Sequence, residues 1–324
     1  MSQTRQQRRA QQRKLDERPP KRPQRMPWRW IAGTLTALAV LGVVAIAITL
    51  PDSSDTDTAQ SRKDASGLPQ AADYHSLIVA PDDPERVFLG THDGLFESTD
   101  GGRTWAQTGA INGDAMNLAR DAKDAKTLYA AGHQLFQKST DSGSTWADIP
   151  LDDAIARDLT QGGKAVDIHG FAADPTNADT VYAAVAGLGL FKSSNAGADF
   201  TKVSDTGAAG FGIAIATTTP PRLYLADAQQ GLLLSENDGK TWRTVQPQIS
   251  GVAVSPKDPE RVLAAGDALY LTTNGRTFKS VQASDGSGFG PLAISASDPA
   301  IAYAIELPGT LHVSRDGGAS WKVR

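Results

Sequence analysis

Short runs of apolar residues recur between residues 73 and 324, and polar turns rich in Gly, Asp and Asn separate them. The first unit contains the runs HSLIVA, RVFLGT and GLFES, with the corner PDDPE between the first two. A later unit repeats this order as SGVAVS, PKDPE, RVLAAG and ALYLT. The runs are short and lack the 3.6-residue apolar period of a helix, so they predict β-strands. In each unit three strands precede a turn and one strand follows it.

That turn occurs six times in the chain. Its versions are STDGGRTW, STDSGSTW, SSNAGADF, SENDGKTW, TTNGRTF and SRDGGASW, which begin at residues 98, 139, 193, 235, 272 and 314. A repeat of about forty residues without helical periodicity is typical of propeller blades. We therefore predict an all-β fold, a six-bladed β-propeller with four-stranded blades.

Each turn carries residues suited to a tight hairpin. The acidic or amide residue at its third position can accept backbone N–H groups, and the glycine at the fifth, or at the fourth in TTNGRTF, which is one residue shorter, can adopt φ > 0. The third-position residues are Asp100, Asp141, Asn195, Asn237, Asn274 and Asp316. The closing aromatic residues, which we expect to pack on the neighbouring blade, are Trp105, Trp146, Phe200, Trp242, Phe278 and Trp321. The two other tryptophans precede residue 31, so none remains as a ligand platform.

The motif S-x-D-x-G-x-T-W is similar to the Asp-box, or BNR repeat, of sialidases, sortilin-type receptors and photosystem II assembly-factor propellers. Residues 73–324 resemble, more narrowly, a bacterial family of exported Asp-box propellers commonly labelled glycosyl hydrolase. The segments HSLIVAPDDPERVFLGTHDGLFESTDGGRTW, TLYAAGH and DIHGFAADP carry this resemblance. It implies that the boxes are structural hairpins on the rim opposite the active-site face.

The first 72 residues have a different composition. Residues 1–30 contain ten Lys/Arg and two acidic residues, and residues 31–50 are uncharged and long enough to span a bilayer as a helix. The positive-inside rule then predicts a cytoplasmic tail, a transmembrane signal-anchor helix and an extracytoplasmic propeller at the cell membrane. A signal peptide cleaved after the AIA of residues 45–47 is the alternative. Residues 51–72 are polar and lack aromatic residues, which is typical of a flexible linker.

Composition excludes several classes of function. The chain has no cysteine, which removes disulfides, thiolate nucleophiles and cysteine-ligated metals. Residues 31–324 contain 22 Lys/Arg against 34 Asp/Glu, and this acidic body would repel nucleic acid. We also find no P-loop, G-x-S-x-G, H-E-x-x-H or EF-hand motif.

If each box joins the third and fourth strands, the opposite face consists of the loops before the first strand and between the second and third strands. The chemistry-bearing residues predicted on this face are Tyr74, His75, His92, Asp93, His133, Asp167, His169, Asp227, Gln229, Asp267, Asp285 and Glu306. His75 and His169 occupy equivalent positions at the start of the first strand in units one and three. The equivalent slot in the other units holds Met116, Phe211, Ser250 and Gly290. An insertion after the second box, with a short helix predicted over residues 152–159, belongs to the same face.

From this set we take His75, His92, His133, His169, Asp93, Asp167 and Glu306 as candidate ligand-binding residues. Four of the five histidines fall on one face. Such a group can coordinate a metal, act as an acid–base pair or bind an anion when protonated. Each histidine can equally cap a strand or bond a loop carbonyl, so no cofactor is assigned and a metal stays an alternative.

The predicted function is binding of an extracytoplasmic protein or glycan ligand, as a membrane-anchored assembly module. A non-sialidase glycoside hydrolase is the alternative, because the face offers several carboxylates that could act in pairs. A sialidase is not expected. The Arg-Ile-Pro motif is absent, and Arg86, Arg222 and Arg261 follow the Pro/Asp corners, which places them at the box end.

Overall fold

The repeated strand–turn unit folds into short antiparallel strands, as the sequence predicts. In the computed structural model the described residues are 67–71, 73–108, 111, 113–121, 124, 126–133, 135–149 and 167–324. They form six four-stranded sheets, each from four consecutive strands in chain order. This confirms the six-bladed, all-β propeller.

Blades 1 to 3 are built as follows. Blade 1 contains β1 (Tyr74–Val79), β2 (Val87–Thr91), β3 (Gly94–Ser98) and β4 (Ala106–Gln107). Blade 2 contains β5 (Asn117–Arg120), β6 (Leu128–Gly132), β7 (Leu135–Ser139) and β8 (Ala147–Asp148). Blade 3 contains β9 (Ile168–Asp174), β10 (Asn177–Val185), β11 (Gly189–Ser193) and β12 (Thr201–Ser204).

Blades 4 to 6 repeat the pattern. Blade 4 contains β13 (Gly210–Ala216), β14 (Arg222–Asp227), β15 (Gly231–Ser235) and β16 (Arg243–Gln246). Blade 5 contains β17 (Ile249–Ser255), β18 (Asp258–Gly266), β19 (Ala268–Thr272) and β20 (Lys279–Ala283). Blade 6 contains β21 (Phe289–Ile294), β22 (Ala302–Glu306), β23 (Thr310–Ser314) and β24 (Lys322–Val323).

The first strands of the blades form a ring. Each of β1, β5, β9, β13, β17 and β21 contacts the first strand of the next blade, and β21 contacts β1. Together they line a central cavity of about 430 Å³, whose walls include Leu77, Leu118, Phe171, Ile213 and Val252. Apolar side chains of the inner strands form part of this wall, and Arg120, Asp121 and Ser255 also line it.

The hydrophobic core lies between blades rather than within one block. Six buried clusters occur among the described residues, and each joins residues of two neighbouring blades. Trp105, Trp146, Trp242 and Trp321 each pack into one of these inter-blade clusters. The expected packing of the box tryptophans on a neighbouring blade is confirmed, with Trp321 buried and the other three partly buried.

The boxes join β3 to β4 and the equivalent strands of each blade, as predicted. In the first box, Thr104 N donates to Oδ1 of Asp100 at 2.9 Å, Thr104 Oγ1 donates to Oδ2 at 2.6 Å, and Gly102 N donates to Ser98 Oγ at 2.8 Å. The box glycine also lies against the preceding blade. A Cβ atom on Gly318 would lie 2.4 Å from Leu263 of blade 5. Each box is thus both a hairpin and part of an inter-blade seam.

Polar contacts reinforce the seams at the box end. Arg86 of blade 1 donates to the carbonyl of Ser142 in the second box, and Arg261 donates to the carbonyl of Gly317 in the sixth. Arg222 of blade 4 forms an ion pair with Glu260 of blade 5. The three corner arginines therefore lie at the box end, as predicted.

The seam between blades 6 and 1 is closed by side chains, without an exchanged strand. Arg315 and Arg324 each donate to Glu85 at 3.0 Å, and the Tyr303 hydroxyl donates to the Pro84 carbonyl at 3.0 Å. Leu68 is fully buried in the cluster that joins these two blades. Packing on the propeller therefore extends upstream of residue 73.

Several predicted segments lie outside the described residues. These are the basic tail of residues 1–30, the transmembrane segment 31–50, most of the predicted linker and the helix predicted over 152–159. Within the part of the chain that the structure describes, no helix has the length and apolarity needed to cross a membrane.

Candidate functional site

Seven His and Asp side chains lie together at the end of blades 1 to 3 opposite the boxes. We call this set the histidine arc; its members are Asp73, His75, His92, Asp114, His133, Asp167 and His169. They come from the segments that precede β1, β5 and β9, from the starts of β1 and β9, and from the loops after β2 and β6. The four histidines predicted on one face are therefore brought together.

His75 and His169 sit at β-bulges. The register of β1 on β2 shifts between Tyr74 and Ser76, which leaves His75 in the bulge. On β9 the partners step from Ile168 to Gly170, which leaves His169 in the equivalent position. A bulge bends the strand locally and redirects its side chain, so the two imidazoles turn toward the arc. Phe211 occupies the same kind of bulge on β13.

The half of the arc at the junction of blades 1 and 2 centres on Asp114, which was not among the residues predicted from the sequence. Its Oδ1 atom lies 3.0 Å from Nδ1 of His92, and its Oδ2 atom contacts Nδ1 of His133. On its other side, Nε2 of His92 lies 3.5 Å from Oδ2 of Asp73. The Asp114 side chain is only 12% exposed, so one nearly buried carboxylate faces two imidazoles.

The half of the arc at the junction of blades 2 and 3 centres on Asp167. Its Oδ1 atom lies 2.9 Å from Nε2 of His133 and 2.8 Å from Nε2 of His169. The backbone fixes this arrangement, because His133 and Asp167 form an antiparallel β-bridge between blades 2 and 3. Ala186 N also donates to the Asp167 carbonyl at 2.9 Å. The three side chains are thus held by paired backbone rather than by a free loop.

Several polar atoms of the arc are buried without a hydrogen bond. Among the described residues none provides a hydrogen-bond partner for the Nε2 atoms of His75 and His169 or the Oδ1 atoms of Asp114 and Asp167. These oxygens nevertheless lie within 3.0 Å of imidazole nitrogens. The N···O contacts are short but not aligned for a hydrogen bond.

The electrostatics of the arc differ between its histidines. Burial, and next the neighbouring His92, hold the pKa of His75 below its usual value. Burial also opposes protonation of His133, but the carboxylates of Asp114 and Asp167 together raise its pKa. Positive charge is therefore favoured between these two carboxylates.

The arc borders the mouth of the central channel. His75 and Phe211 line a small cavity of about 80 Å³ there, together with the starts of the inner strands. The Phe211 ring stacks on His169 with centroids 5.8 Å apart and is 45% exposed. An exposed aromatic surface therefore adjoins the charged arc.

A family model described as "Photosynthesis system II assembly factor YCF48" matches residues 68–324. The chain belongs to this family. Membership agrees with the BNR-type propeller predicted from the boxes. Among curated proteins, none matches the chain.

Solved structures similar to this member of the YCF48 family include glycoside hydrolases. A GH74 xyloglucanase from Xanthomonas campestris is 20% identical with a TM-score of 0.51, over 82% of this chain and 46% of that chain. An ancestral GH74 enzyme is 14% identical with a TM-score of 0.52, over 81% and 39%. A structure of YCF48 bound to D1 peptide is 16% identical with a TM-score of 0.49, over 79% and 83%. The chain spans less than half the length of the two GH74 chains, and the likeness to them establishes the fold alone.

Two other predicted candidates in this YCF48-family propeller lie outside the arc. Glu306 accepts hydrogen bonds from Ser284 Oγ and Asp285 N at 2.6 Å and from Gly286 N at 3.0 Å, and its other oxygen lies 2.8 Å from Nε2 of His312. These contacts anchor the loop before β21. Asp93 lies in the β2–β3 turn, and the three His/Asp groups among the described residues include neither Asp93 nor Glu306.

The two missed members, Asp73 and Asp114, follow a pattern that the sequence contains. Asp73, Asp114 and Asp167 each stand two residues before the equivalent slot, which holds His75, Met116 and His169 respectively. In the other three units this position holds Ala209, Gln248 and Gly288. An alignment of the six units at this position therefore identifies the first three as the units that carry an aspartate there.

Proposed function

We propose that this YCF48-family chain is a membrane-anchored, extracytoplasmic module that binds a protein partner through the face that carries the histidine arc. The observation that carries the proposal is the exposed Phe211 ring stacked on His169 beside the arc. An exposed aromatic ring next to charged groups is suited to an amphipathic peptide segment. Membership of a family described as an assembly factor supports a protein partner.

The apolar, uncharged run of residues 31–50 and the basic residues before it support the membrane anchor. The partner is accordingly expected to be an extracytoplasmic segment of a protein in the same membrane. The cavity of about 80 Å³ at the channel mouth is small compared with typical small-molecule sites of about 300–1,000 Å³. The central cavity of about 430 Å³ lies within that range, so surface contact is supported by the exposed Phe211 ring and not by cavity size.

Binding is better supported than glycoside hydrolysis. The indole nitrogens of Trp105, Trp146, Trp242 and Trp321 donate to carbonyls of their own boxes at 2.8–3.1 Å. These four rings are packed in seams at the box end and are not available to stack on a sugar. The Glu306 carboxylate is occupied in holding its loop. These engagements weigh against a catalytic carboxylate pair that includes Glu306.

Site-specific photo-crosslinking in membranes tests this proposal. Blade 4 provides two exposed positions, Gln229 in the loop before β15 and Lys240 in the box. A photoreactive residue at Gln229 should capture one defined protein, and capture should be lost when Phe211 is changed to Ser in the same chain. The matched control at Lys240 should not capture that protein.

Two outcomes would overturn the proposal. One is capture from Lys240 that is stronger than from Gln229 and unaffected by Phe211→Ser. The other is release of reducing sugar from a glycan by the purified chain, with turnover lost in Asp167→Asn, which would establish the hydrolase alternative.

A further inference from the structure

At the junction of blades 2 and 3, two imidazole nitrogens of the histidine arc lie close to one carboxylate oxygen. His133, Asp167 and His169 each offer one ligand atom, and these three atoms lie within 4.8 Å of one another. The two nitrogens approach the same oxygen at 2.9 and 2.8 Å. Within the described part of the chain, this oxygen and Nε2 of His169 form no hydrogen bond and are buried. The contacts therefore do not arise from an ordinary hydrogen-bonded cluster.

The separations match the edges of a metal coordination polyhedron. With metal–nitrogen and metal–oxygen bonds of about 2.0–2.2 Å, adjacent ligands of an octahedral ion lie about 2.9 Å apart, and those of a tetrahedral ion about 3.3–3.5 Å. The observed distances of 2.9 and 2.8 Å agree with the octahedral edge and are shorter than the tetrahedral one. Lone pairs of nitrogen and oxygen directed at a shared cation would also account for N···O contacts that are short but form no hydrogen bond.

Asp114 contacts His133 at the ring nitrogen that does not face Asp167. Its Oδ2 atom contacts Nδ1 of His133; a ring proton on Nδ1 would be donated to this carboxylate and would leave the lone pair of Nε2 on the side of Asp167. A carboxylate that orients a metal-binding imidazole through its second nitrogen is a recurrent feature of metal sites. The backbone next to Asp114 is held between blades 1 and 2, because Ala115 N donates to the Thr91 carbonyl at 3.1 Å.

We propose that His133, Asp167 and His169 bind a divalent transition-metal ion of the Zn²⁺ class, with Asp114 orienting His133. Two imidazoles and one carboxylate suit Zn²⁺ and its neighbours, whereas Mg²⁺ and Ca²⁺ prefer oxygen ligands alone. Three protein ligands leave at least one coordination position for water or another donor. The metal proposal does not rest on the proposed protein binding, although His169 also stacks on Phe211.

A second triad repeats the pattern in blade 1. It consists of Asp73, His75 and His92, shares no residue with the first triad, and also faces Asp114 through Nδ1 of His92. The distance from Nε2 of His92 to Oδ2 of Asp73 is longer, at 3.5 Å, and the Asp73 side chain is 62% exposed. A second equivalent of metal is accordingly expected here, bound more weakly than the first.

Calorimetric titration of the full 324-residue chain with Zn²⁺ tests the proposal. The chain is purified in detergent without a histidine tag and stripped of metal with a chelator. Wild-type protein should bind a first equivalent tightly and with proton release at low pH. Asp167→Asn should weaken this first binding by about 100-fold or more, and Asp114→Asn by about 10- to 100-fold.

The control variant is Asp93→Asn, which removes a carboxylate from the same face but outside both triads. It should bind Zn²⁺ as wild type does. Co²⁺ substitution supplies a second readout, because ligand-field absorption bands from bound Co²⁺ should be present in wild type and Asp93→Asn and lost in Asp167→Asn. Circular dichroism of the metal-free variants checks that each is folded.

Three results would overturn the proposal: no saturable Zn²⁺ binding by the folded wild-type chain, unchanged tight binding in folded Asp167→Asn, or equal affinity for Mg²⁺ or Ca²⁺. If Asp167→Asn does not fold, His169→Gln replaces it in the same comparison. Unchanged tight binding in that folded variant would equally reject the site.

Discussion

The carbonyl oxygen of Asp114 lies where a side chain on Gly132 would have to be. A Cβ atom added to Gly132 would be 2.0 Å from that oxygen. Gly132→Ala must therefore displace the segment before β5, and overpacking of this kind costs about 1–3 kcal/mol. We expect urea unfolding to detect a loss of this size.

Gly212→Ala is the matched control for this substitution. Gly212 lies in β13, and no atom lies within 4 Å of its added Cβ. The free energy of unfolding should change by less than about 0.5 kcal/mol. Equal losses in the two variants would contradict the importance of the Asp114–Gly132 approach.

Acid should destabilise one side of the ring first. Hydrogen bonds from Thr145 and Ser320 lower the pKa values of Asp141 and Asp316 to about 2, and those from Thr104 and Ser98 outweigh burial to give Asp100 the same value. In the unfolded chain these carboxyls titrate near 3.8. Their contribution is therefore complete above that pH and is lost as pH falls toward 2.

Substitution of these carboxylates measures the effect. Blades 3, 4 and 5 already carry Asn in the box, and Asn237 Oδ1 accepts Thr241 N at 2.9 Å just as Asp100 accepts Thr104 N. The triple variant Asp100→Asn, Asp141→Asn, Asp316→Asn should lose less stability between pH 5 and pH 2 than wild type. Urea midpoints across this range provide the measurement, and parallel curves would be inconsistent with it.

The Arg222–Glu260 pair should stabilise the seam between blades 4 and 5. The Arg222 side chain is only 9% exposed and also donates to Oε2 of Glu260 at 3.0 Å. Glu260→Gln leaves a nearly buried guanidinium without its carboxylate, which should cost about 1–3 kcal/mol. Urea unfolding of the purified chain measures this loss.

Glu236 provides the control for an exposed pair. It contacts Arg276 and Arg243, which are half exposed. Glu236→Gln should change the unfolding free energy by at most about 1 kcal/mol. If the two glutamines have the same effect, burial of Arg222 is not the deciding factor.

The predicted membrane topology can be tested with introduced thiols, because the chain has no cysteine. Lys240→Cys in the exposed fourth box should react with a membrane-impermeant maleimide on right-side-out vesicles, whereas Gln12→Cys in the basic tail should react only after the membrane is opened. The opposite labelling pattern would reject the orientation.

The fold was predictable because the box repeats with its strands around it. Residues near one another in sequence form each hairpin, so the pattern that starts at Ser98 is sufficient for one blade and, six times over, for the ring. The equivalent slot of His75 and His169 was predictable for the same reason. Both side chains occupy matching bulges.

The site itself was only partly predictable. His133 and Asp167 are in different blades and meet through a backbone bridge across a seam, which no local pattern specifies. Asp114 becomes important only because two imidazoles turn toward it. Glu306 looked similar in position, but its loop supplies three hydrogen-bond donors that bind its carboxylate.

Side chains close the ring between blades 6 and 1. The ring therefore does not require blade 1 to come first in the chain. Gly67 lies against the carbonyl of Arg103, and Arg324 donates to the carbonyl of Asp100 at 3.0 Å, so both lie at the first box. A short linker from Arg324 to Gly67 would permit a circular permutant that starts at blade 4. It would retain every seam, since each sheet is complete within its own four strands.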